Sequence, residues 1–305
     1  MIVVRRAPAY ATVQDIGRRG FMSSGVPRAG AMDRPALETL NALLGNDSNA
    51  GAIEIALNGG ELELSEETTF ALGGANAEAR LESTPVEGYR AYRANHGDVL
   101  TIDSITAGRF LYLAIHPGVM TPLVMRSRST YLPGAFGGHE GRRLKNGDTL
   151  ATEETRHQRR RHHVSDPLPS HLRPALARDT IRYVPRDDVA DFFQSPWIVS
   201  PASDRTGYRL AGRSIEGGAS ITSEPVCPGT IQLPPGGEPI VLMADAPTVG
   251  GYRILGAVIT ADAGILAQMQ PGTSVAFNPV SVEAAQRALL SDNERIERIR
   301  EWSLA

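Results

Sequence analysis

The chain has 305 residues, of which 41% are hydrophobic, and a formal net charge of −3, which is typical of a soluble globular protein with one large or two ordinary domains. The nearly balanced charge gives no general attraction to nucleic acid or membrane. The single cysteine, Cys227, excludes an intrachain disulfide framework and, with no signal-peptide pattern at the N-terminus, predicts a cytoplasmic protein.

The basic residues are unusual, because 30 of the 31 are arginines and Lys145 is the only lysine. Catalysis by a Schiff-base lysine or phosphate binding by a P-loop lysine is therefore nearly excluded. The planar, permanently charged guanidinium of arginine suits carboxylate or phosphate anchoring instead. Any anion binding should thus be local and arginine-based.

Short β-rich runs bounded by turn residues dominate the chain and predict a mainly β fold. Within the run at 53–64, Asn58-Gly59-Gly60 separates two alternating segments and predicts a hairpin. The clearest runs in chain order are IVVRR (2–6), IEIALNGGELEL (53–64), DVLTI (98–102), FLYLAI (110–115), TIRYV (180–184), PIVLMA (239–244) and TSVAF (273–277).

Two helices are predicted. In the first, Asp33 is the N-cap, and Gly45 suits the C-terminal exit. Its apolar stripe consists of Leu37, Leu40 and Leu44. The second follows a Ser281 cap, and the amphipathic segment 293–302 either continues or restarts it.

Residues 156–174 combine arginines, four histidines and three prolines without a strand pattern, which predicts an exposed linker. It separates a domain at 1–160 from a domain at 175–305. A metal site on the histidines is an alternative, but no cysteine or paired carboxylate joins them at ligand spacing. An RNA-binding patch is another, although the segment lacks interleaved aromatic residues.

Standard catalytic motifs are mostly absent: the sequence contains no P-loop, no GxGxxG after a strand, no HExxH and no GxSxG. What remains is a set of polar, Gly-rich loops at 25–46, 126–148, 200–212 and 224–254. In the second loop, backbone N–H groups could form an anion nest beside Arg128 or Arg142. Each loop also has a purely structural explanation, as a helix cap, a set of turns or a surface ion pair.

Several motifs in fixed order resemble one family. They are TVQDIGRRG (12–20), GAMDRPALETLNALLGN (30–46), SRST (127–130), FGGHEGR (136–142), SDRTGYRL (203–210), GTIQLPPGGEPIVLMAD (229–245) and TVGGY (248–252). The chain thereby resembles the C subunit of bacterial 5-oxoprolinase, also called allophanate hydrolase subunit 2 or KipA-like, a family related to the carboxyltransferase region of urea amidolyase. Differences from the family's usual residues include Thr206 for Met, Ala246 for Arg, Pro247 for Gln, Ile254 for Lys, His116 for Ala, and Arg126 for Gly.

The resemblance implies two tandem cyclophilin-like β-barrel domains with a few helices. It implies a complex with a KipI-like B component and a further A component of 5-oxoprolinase, which together use ATP to open 5-oxoproline to L-glutamate. Biotin would be involved only if another chain supplied it. Alternative functions are a KipA-type regulator that sequesters a KipI-like kinase inhibitor, and the carboxyltransferase subunit of a biotin-dependent urea-type carboxylase.

The resemblance also implies a small-molecule site without a metal, nucleic acid or membrane. Arg128 and Arg205 would anchor an anion, and Asp33 and Asp204 would orient or exchange protons. The residues expected to be catalytic are Asp33, Asp204, Arg205 and Tyr208. Those expected to bind substrate are Arg128, Ser129, Gly137, Gly138, Gln232, Asp245, Thr248, Gly250, Gly251 and Tyr252.

Overall fold

The structure, a computed structural model, describes residues 1–152, 166–186 and 190–304. It divides into two compact units, each built on one barrel-like sheet, so the prediction of a mainly β fold with two β-barrel domains is confirmed. Unit 1 consists of Met1–Gly17, Asp33–Pro174 and Asn293–Ala305, and unit 2 of Arg18–Met32 and Ala175–Asp292. The division at 174/175 lies at the end of the predicted linker. The predicted limits place segment 18–32 in the first domain and segment 293–305 in the second, whereas the structure places 18–32 in unit 2 and 293–305 in unit 1.

Unit 1 has ten strands among its described residues, and β8 is the central one. They are β1 (Ile2–Arg6), β2 (Tyr10–Gln14), β3 (Ala52–Ala56), β4 (Gly60–Leu64), β5 (Thr68–Leu81), β6 (Thr84–Pro85), β7 (Ala91–Ala94), β8 (Asp98–Ile115), β9 (Val119–Met120) and β10 (Thr149–Thr152). The order is β2-β3-β8-β4-β1-β10-β9, and β5 pairs with β8 along most of its length. The two predicted strands at 98–102 and 110–115 are the ends of β8.

The predicted hairpin at Asn58-Gly59-Gly60 is wrong, because β8 lies between β3 and β4 and pairs with both. The glycines serve a different purpose. A Cβ added to Gly59 would lie 1.8 Å from the carbonyl oxygen of Ile102, and one added to Gly60 would lie 2.5 Å from that of Arg6. Close backbone approach, rather than turn geometry, requires glycine at these two positions.

The first predicted helix is confirmed as α1 (Arg34–Leu43). The carboxylate of Asp33 accepts a hydrogen bond from Ala36 N at 3.1 Å and caps the N-terminus. Leu37, Leu40 and Leu44 are fully buried, as the apolar stripe predicts. The left-handed Gly45, with φ of 65°, ends the helix.

Among the described residues of unit 2, seven strands form a closed ring in the order β11-β18-β12-β13-β16-β15-β17, because β17 pairs back with β11. The eighth strand, β14, pairs with β17 and lies outside the ring. In this ring, β11 and β18 run parallel to each other. The strands are β11 (Thr180–Pro185), β12 (Trp197–Val199), β13 (Gly207–Ala211), β14 (Ser220–Pro225), β15 (Thr230–Leu233), β16 (Ile240–Leu242), β17 (Val249–Val258) and β18 (Ser274–Pro279). Three of the predicted strands are thereby confirmed as β11, β16 and β18.

The remaining helices are α2 (Ala190–Phe193), α3 (Thr260–Ala267) and α4 (Val282–Trp302). Ser281 caps α4 by accepting a hydrogen bond from Ala284 N at 3.2 Å, and the helix continues without a break into the segment 293–302. There, Arg295 donates to Thr39 Oγ1 at 2.9 Å and anchors the end of α4 within unit 1. None of the helices in the described ranges has the length and hydropathy needed to cross a membrane.

The predicted linker is only partly described, since residues 156–165 and three of its four histidines lie outside the described residues. The rest is partly exposed, as at Asp166, Pro167, Ser170 and His171. Two leucines pack it against the rest of unit 1: Leu168 is fully buried, Leu172 is 4% exposed, and Leu168 N donates to Tyr89 O at 2.8 Å. In the described part of the chain, no group of three or more His, Cys, Asp and Glu side chains could hold a metal ion.

We expect Gly59→Ala to lower the free energy of unfolding by about 2–3 kcal/mol, because the new methyl group meets the rigid backbone of β8. Gly236→Ala is the matched control, since a Cβ there meets no atom within 4 Å, and we expect a change of about 0.5 kcal/mol or less. Urea unfolding of the two variants measures the difference. Equal stabilities would contradict the steric explanation.

Candidate functional site

In unit 1, a single buried carboxylate organises the segment 127–129. Asp15 directly follows β2 and is fully buried. Its Oδ1 accepts hydrogen bonds from Gly17 N at 2.8 Å and Ser127 Oγ at 2.7 Å, and also from Ser129 Oγ. Its Oδ2 accepts one from Arg128 N at 2.6 Å. Because charge-assisted bonds of this kind are strong, Asp15 fixes the backbone around two predicted substrate-binding residues, Arg128 and Ser129.

Gly138 of the same loop packs against the next residue, Thr130. A Cβ added to Gly138, whose φ is +58°, would lie 1.8 Å from Thr130 Oγ1. Thr130 is itself held by two bonds to Val13 O, from its N at 2.9 Å and from Oγ1 at 3.0 Å. Unit 1 therefore places Gly138, and with it the adjacent Gly137, beside the segment that contains Arg128 and Ser129. The guanidinium of Arg128 also donates through Nη1 to Thr121 O.

Asp33 adjoins a buried polar chain that the sequence interpretation missed. Its backbone N donates to Tyr112 Oη at 2.7 Å, and that hydroxyl donates to Glu54 Oε2 at 2.7 Å. Burial, together with the Glu54 and Asp33 carboxylates, raises the pKa of Tyr112 well above its usual range, so the phenol stays protonated. The signal for Glu54 was a lone carboxylate between isoleucines in a wholly buried strand, β3.

In unit 2, Arg205 and Asp245 form a buried two-bond ion pair. Arg205 Nε donates to Asp245 Oδ2 and Nη2 donates to Oδ1, both at 2.9 Å. Nη2 also donates to Gly30 O at 2.7 Å, which ties the segment 18–32 to this unit. Arg205 is 7% exposed and Asp245 4%. These contacts favour a positioning role for Arg205 over the predicted role as an anion anchor, which remains a prediction.

The two other predicted catalytic residues of unit 2 differ in exposure. Asp204 is exposed, and its Oδ1 accepts bonds from Thr206 N at 2.8 Å and Gly207 N at 3.1 Å, which closes a turn before β13. Tyr208 is fully buried and donates to Ala267 O at 2.7 Å. This geometry favours a structural role for Tyr208. The side chain of Asp204, in contrast, is exposed, and the two turn bonds use only its Oδ1.

The last predicted Gly-rich loop is largely a strand, because Gly250, Gly251 and Tyr252 lie in β17, which pairs with β14. Gln232, in β15, is 4% exposed, and a Cβ added to Gly250 would lie 2.2 Å from its Nε2. Gly250 thus makes room for a neighbouring side chain. Thr248 accepts a bond from Val226 N through its carbonyl at 3.1 Å. Their roles in substrate binding remain predictions.

Arg142, the alternative anion contact of the second loop, is paired within that loop. It donates to Asp148 through Nη1 at 2.7 Å and Nη2 at 2.9 Å. His139 Nε2 lies 3.5 Å from the same carboxylate. The hydrogen bonds from Arg142 are the main cause that lowers the pKa of Asp148 from 3.8 to about 2. The guanidinium of Arg142 therefore joins two parts of this loop by an internal ion pair.

Replacing Arg205 with Ala should lower the free energy of unfolding by about 3–5 kcal/mol, because it leaves the Asp245 carboxylate buried without its partner. The double variant Arg205→Ala, Asp245→Ala should lose less than the sum of the two single losses. Arg209→Ala, on the exposed face of β13, is the control and should change little. Additive losses measured by urea unfolding would show that the ion pair is not coupled.

The low pKa of Asp148 predicts a pH dependence of stability. Since the folded pKa of about 2 lies below the ordinary 3.8, the ion pair stabilises the folded chain fully above pH 3.8 and loses this effect as the pH falls toward 2. We expect about 1 kcal/mol, allowing for solvent screening. Unfolding free energies of the wild type and Asp148→Asn should therefore converge between about pH 5 and 2. A constant difference would contradict this assignment.

Comparisons with known proteins agree with the resemblance. Residues 24–279 match the family model of the carboxyltransferase domain, subdomain A and B. The chain is 39% identical over 308 residues to the C subunit of 5-oxoprolinase from Escherichia coli, covering 100% of this chain and 99% of that protein. It is 35% identical over 310 residues to the C subunit of 5-oxoprolinase from Haemophilus influenzae, covering 98% of each.

Longer proteins match over part of their length. Urea amidolyase of Lachancea kluyveri is 32% identical over 97% of this chain but only 18% of its own length. The crystal structure of the K. lactis urea amidolyase superposes with a TM-score of 0.89 at 27% identity, covering 98% of this chain and 20% of that one. The chain belongs to the carboxyltransferase-domain family, subdomains A and B, whose members include proteins named as the C subunit of 5-oxoprolinase and as urea amidolyase.

Proposed function

We propose that the chain is the C subunit of an ATP-dependent 5-oxoprolinase complex that opens 5-oxoproline to L-glutamate. One observation carries the proposal: the matches to two proteins named as this subunit of 5-oxoprolinase cover at least 98% of this chain and at least 98% of each of those proteins. The urea amidolyase match, in contrast, covers 18% of that protein. The likeness to the C subunit of 5-oxoprolinase is therefore more complete, over both proteins compared, than the likeness to urea amidolyase.

The chain contains side chains and backbone groups of the kinds that opening a lactam requires. Opening a lactam requires the carbonyl to be polarised, the substrate carboxylate to be held and a proton to reach the ring nitrogen. In our proposal, Arg128 and the backbone N–H groups of Gly137 and Gly138 hold the carboxylate in unit 1. Asp33 in unit 1 and Asp204 in unit 2 are each a candidate for proton exchange with a substrate. Arg205 acts through Asp245, whose position it fixes.

Other parts of the reaction are assigned to partners. Because the sequence contains no P-loop, we propose that ATP binds with the participation of a KipI-like B component and an A component of 5-oxoprolinase. We propose the cytoplasm as the location, where such a complex would meet ATP and a reducing environment.

A second candidate is the carboxyltransferase subunit of a biotin-dependent urea-type carboxylase. The family model and the TM-score of 0.89 with the K. lactis urea amidolyase favour it. In that case carboxybiotin would arrive on another chain. Both candidates need an anion held beside an amide, so the same arginine and glycine residues would serve either reaction.

Reconstitution of the chain with its two partner components, the KipI-like one and the A-type one, tests the proposal. We expect ADP and L-glutamate to form only when 5-oxoproline and all three chains are present. Urea-dependent turnover of carboxybiotin without glutamate release would instead establish the second candidate. Binding of the KipI-like protein without either reaction would favour the regulatory function.

The same assay with two arginine variants tests the proposed role of Arg128. Arg128→Gln should lower kcat/KM by about 10–100-fold, because a charge-assisted contact to the substrate is lost. Arg93→Gln is the matched control, since Arg93 is exposed and paired with Glu67 on the surface. Its activity should match the wild type. Wild-type activity of Arg128→Gln in an assembled complex would remove Arg128 from the proposed site.

A further inference from the structure

Residues Val124–Ser127 form a two-residue hairpin turn with an unusual backbone. Val124 N donates to Ser127 O at 2.9 Å and Ser127 N donates to Val124 O at 3.2 Å. Both central residues are left-handed, with φ of +52° at Met125 and +63° at Arg126. Turns of this type normally carry Asn-Gly or Gly-Gly, because other side chains are strained there. Met125 and Arg126 thus adopt a backbone conformation that neither residue type favours.

The surroundings hold the turn in this strained form. Directly after it, Asp15 binds Ser127 Oγ at 2.7 Å and Arg128 N at 2.6 Å. From the other side, the guanidinium of Arg128 bonds the carbonyl of Thr121. A strained backbone persists only where its environment determines it in several ways. These contacts meet that condition and make the turn a rigid support.

The tip of this support carries a cation. Arg126 is exposed, and within the described ranges its side chain forms no hydrogen bond or ion pair with the rest of the chain. Arg142, Arg182 and Arg205, in contrast, each bind a carboxylate of the chain with two nitrogens. A glycine at position 126 would relieve the strain at that residue, whereas arginine places an exposed guanidinium at the tip of the turn.

We propose that Arg126 is a specificity-determining residue that binds an anionic group of the ligand beside the segment 127–130. Its forked guanidinium suits a carboxylate or a phosphate. The rigid turn fixes the position of the charge, and the backbone strain offsets part of the gain. Only the identity of the ligand rests on the proposed function: a carboxylate would be that of 5-oxoproline, and a phosphate that of a nucleotide.

Three variants separate strain from charge. Arg126→Gly removes both, so we expect a Tm about 2–4 °C higher and anion binding weakened about tenfold. Arg126→Gln removes only the charge, so binding should weaken equally without the gain in Tm. Leu57→Gly is the control, because Leu57 is 71% exposed with φ of +77°. It should gain stability and bind as the wild type does.

Binding is measured twice, so that the two proposals can fail separately. Purified chain is titrated with inorganic phosphate, ATP, 5-oxoproline and L-glutamate while Tm is followed, and KM for 5-oxoproline and ATP is measured in the reconstituted complex. A probe that stabilises the wild type but not Arg126→Gln supports the inference, even if no 5-oxoproline turnover occurs. If no probe stabilises the wild type, or if both Arg126 variants respond as it does, the inference is overturned.

Discussion

The carboxylate of Asp15 is the contact on which the candidate site of unit 1 depends. A buried carboxylate is strongly unfavourable unless hydrogen bonds replace its water, and its described donors come from Gly17 and the segment 127–129. Ser127 lies 112 residues away in the chain, so these bonds form only when β2 and the loop meet in the folded unit. Losing any donor would leave part of this cost uncompensated. The segment is therefore rigid for the same reason that Asp15 can be buried.

Unit 2 uses buried charge in a related way. Arg205 and Asp245 join the turn before β13 to the segment after β16, and Asp262 at the start of α3 accepts two side-chain bonds from Arg182 at 3.0 and 2.6 Å. Each pair connects parts of the ring that are distant in sequence. Such pairs contribute little net stability compared with apolar packing, but they are costly to break singly. They fix the geometry of segments such as the turn before β13, which also carries the exposed Asp204.

Local signals in the sequence predicted the elements that local physics determines. The cap at Asp33, the leucine stripe of α1 and the strands at 2–6 and 274–279 follow from nearest neighbours and periodicity. The hairpin at Gly59 failed because β8 inserts between β3 and β4, a pairing that no local pattern encodes. Asp15 and Glu54 were missed as site residues for the same reason, since their partners lie in distant segments. Glycines are ambiguous in sequence: Gly250 was assigned to a loop, yet it lies in a strand where Gln232 needs the space.

The abundance of arginine takes on a different meaning once the pairs are in place. Thirty arginines without matching lysines suggested anion anchoring, because a guanidinium binds carboxylates with two parallel bonds. The structure uses part of this capacity within the chain, since Arg142, Arg182 and Arg205 each bind an aspartate of the chain in that manner. A point-charge lysine could not hold these geometries. In our proposal, an anionic ligand is bound by arginines whose guanidinium is not engaged by two oxygens of an internal carboxylate. The turn held by Asp15 places two such arginines, Arg126 and Arg128, close together in the chain.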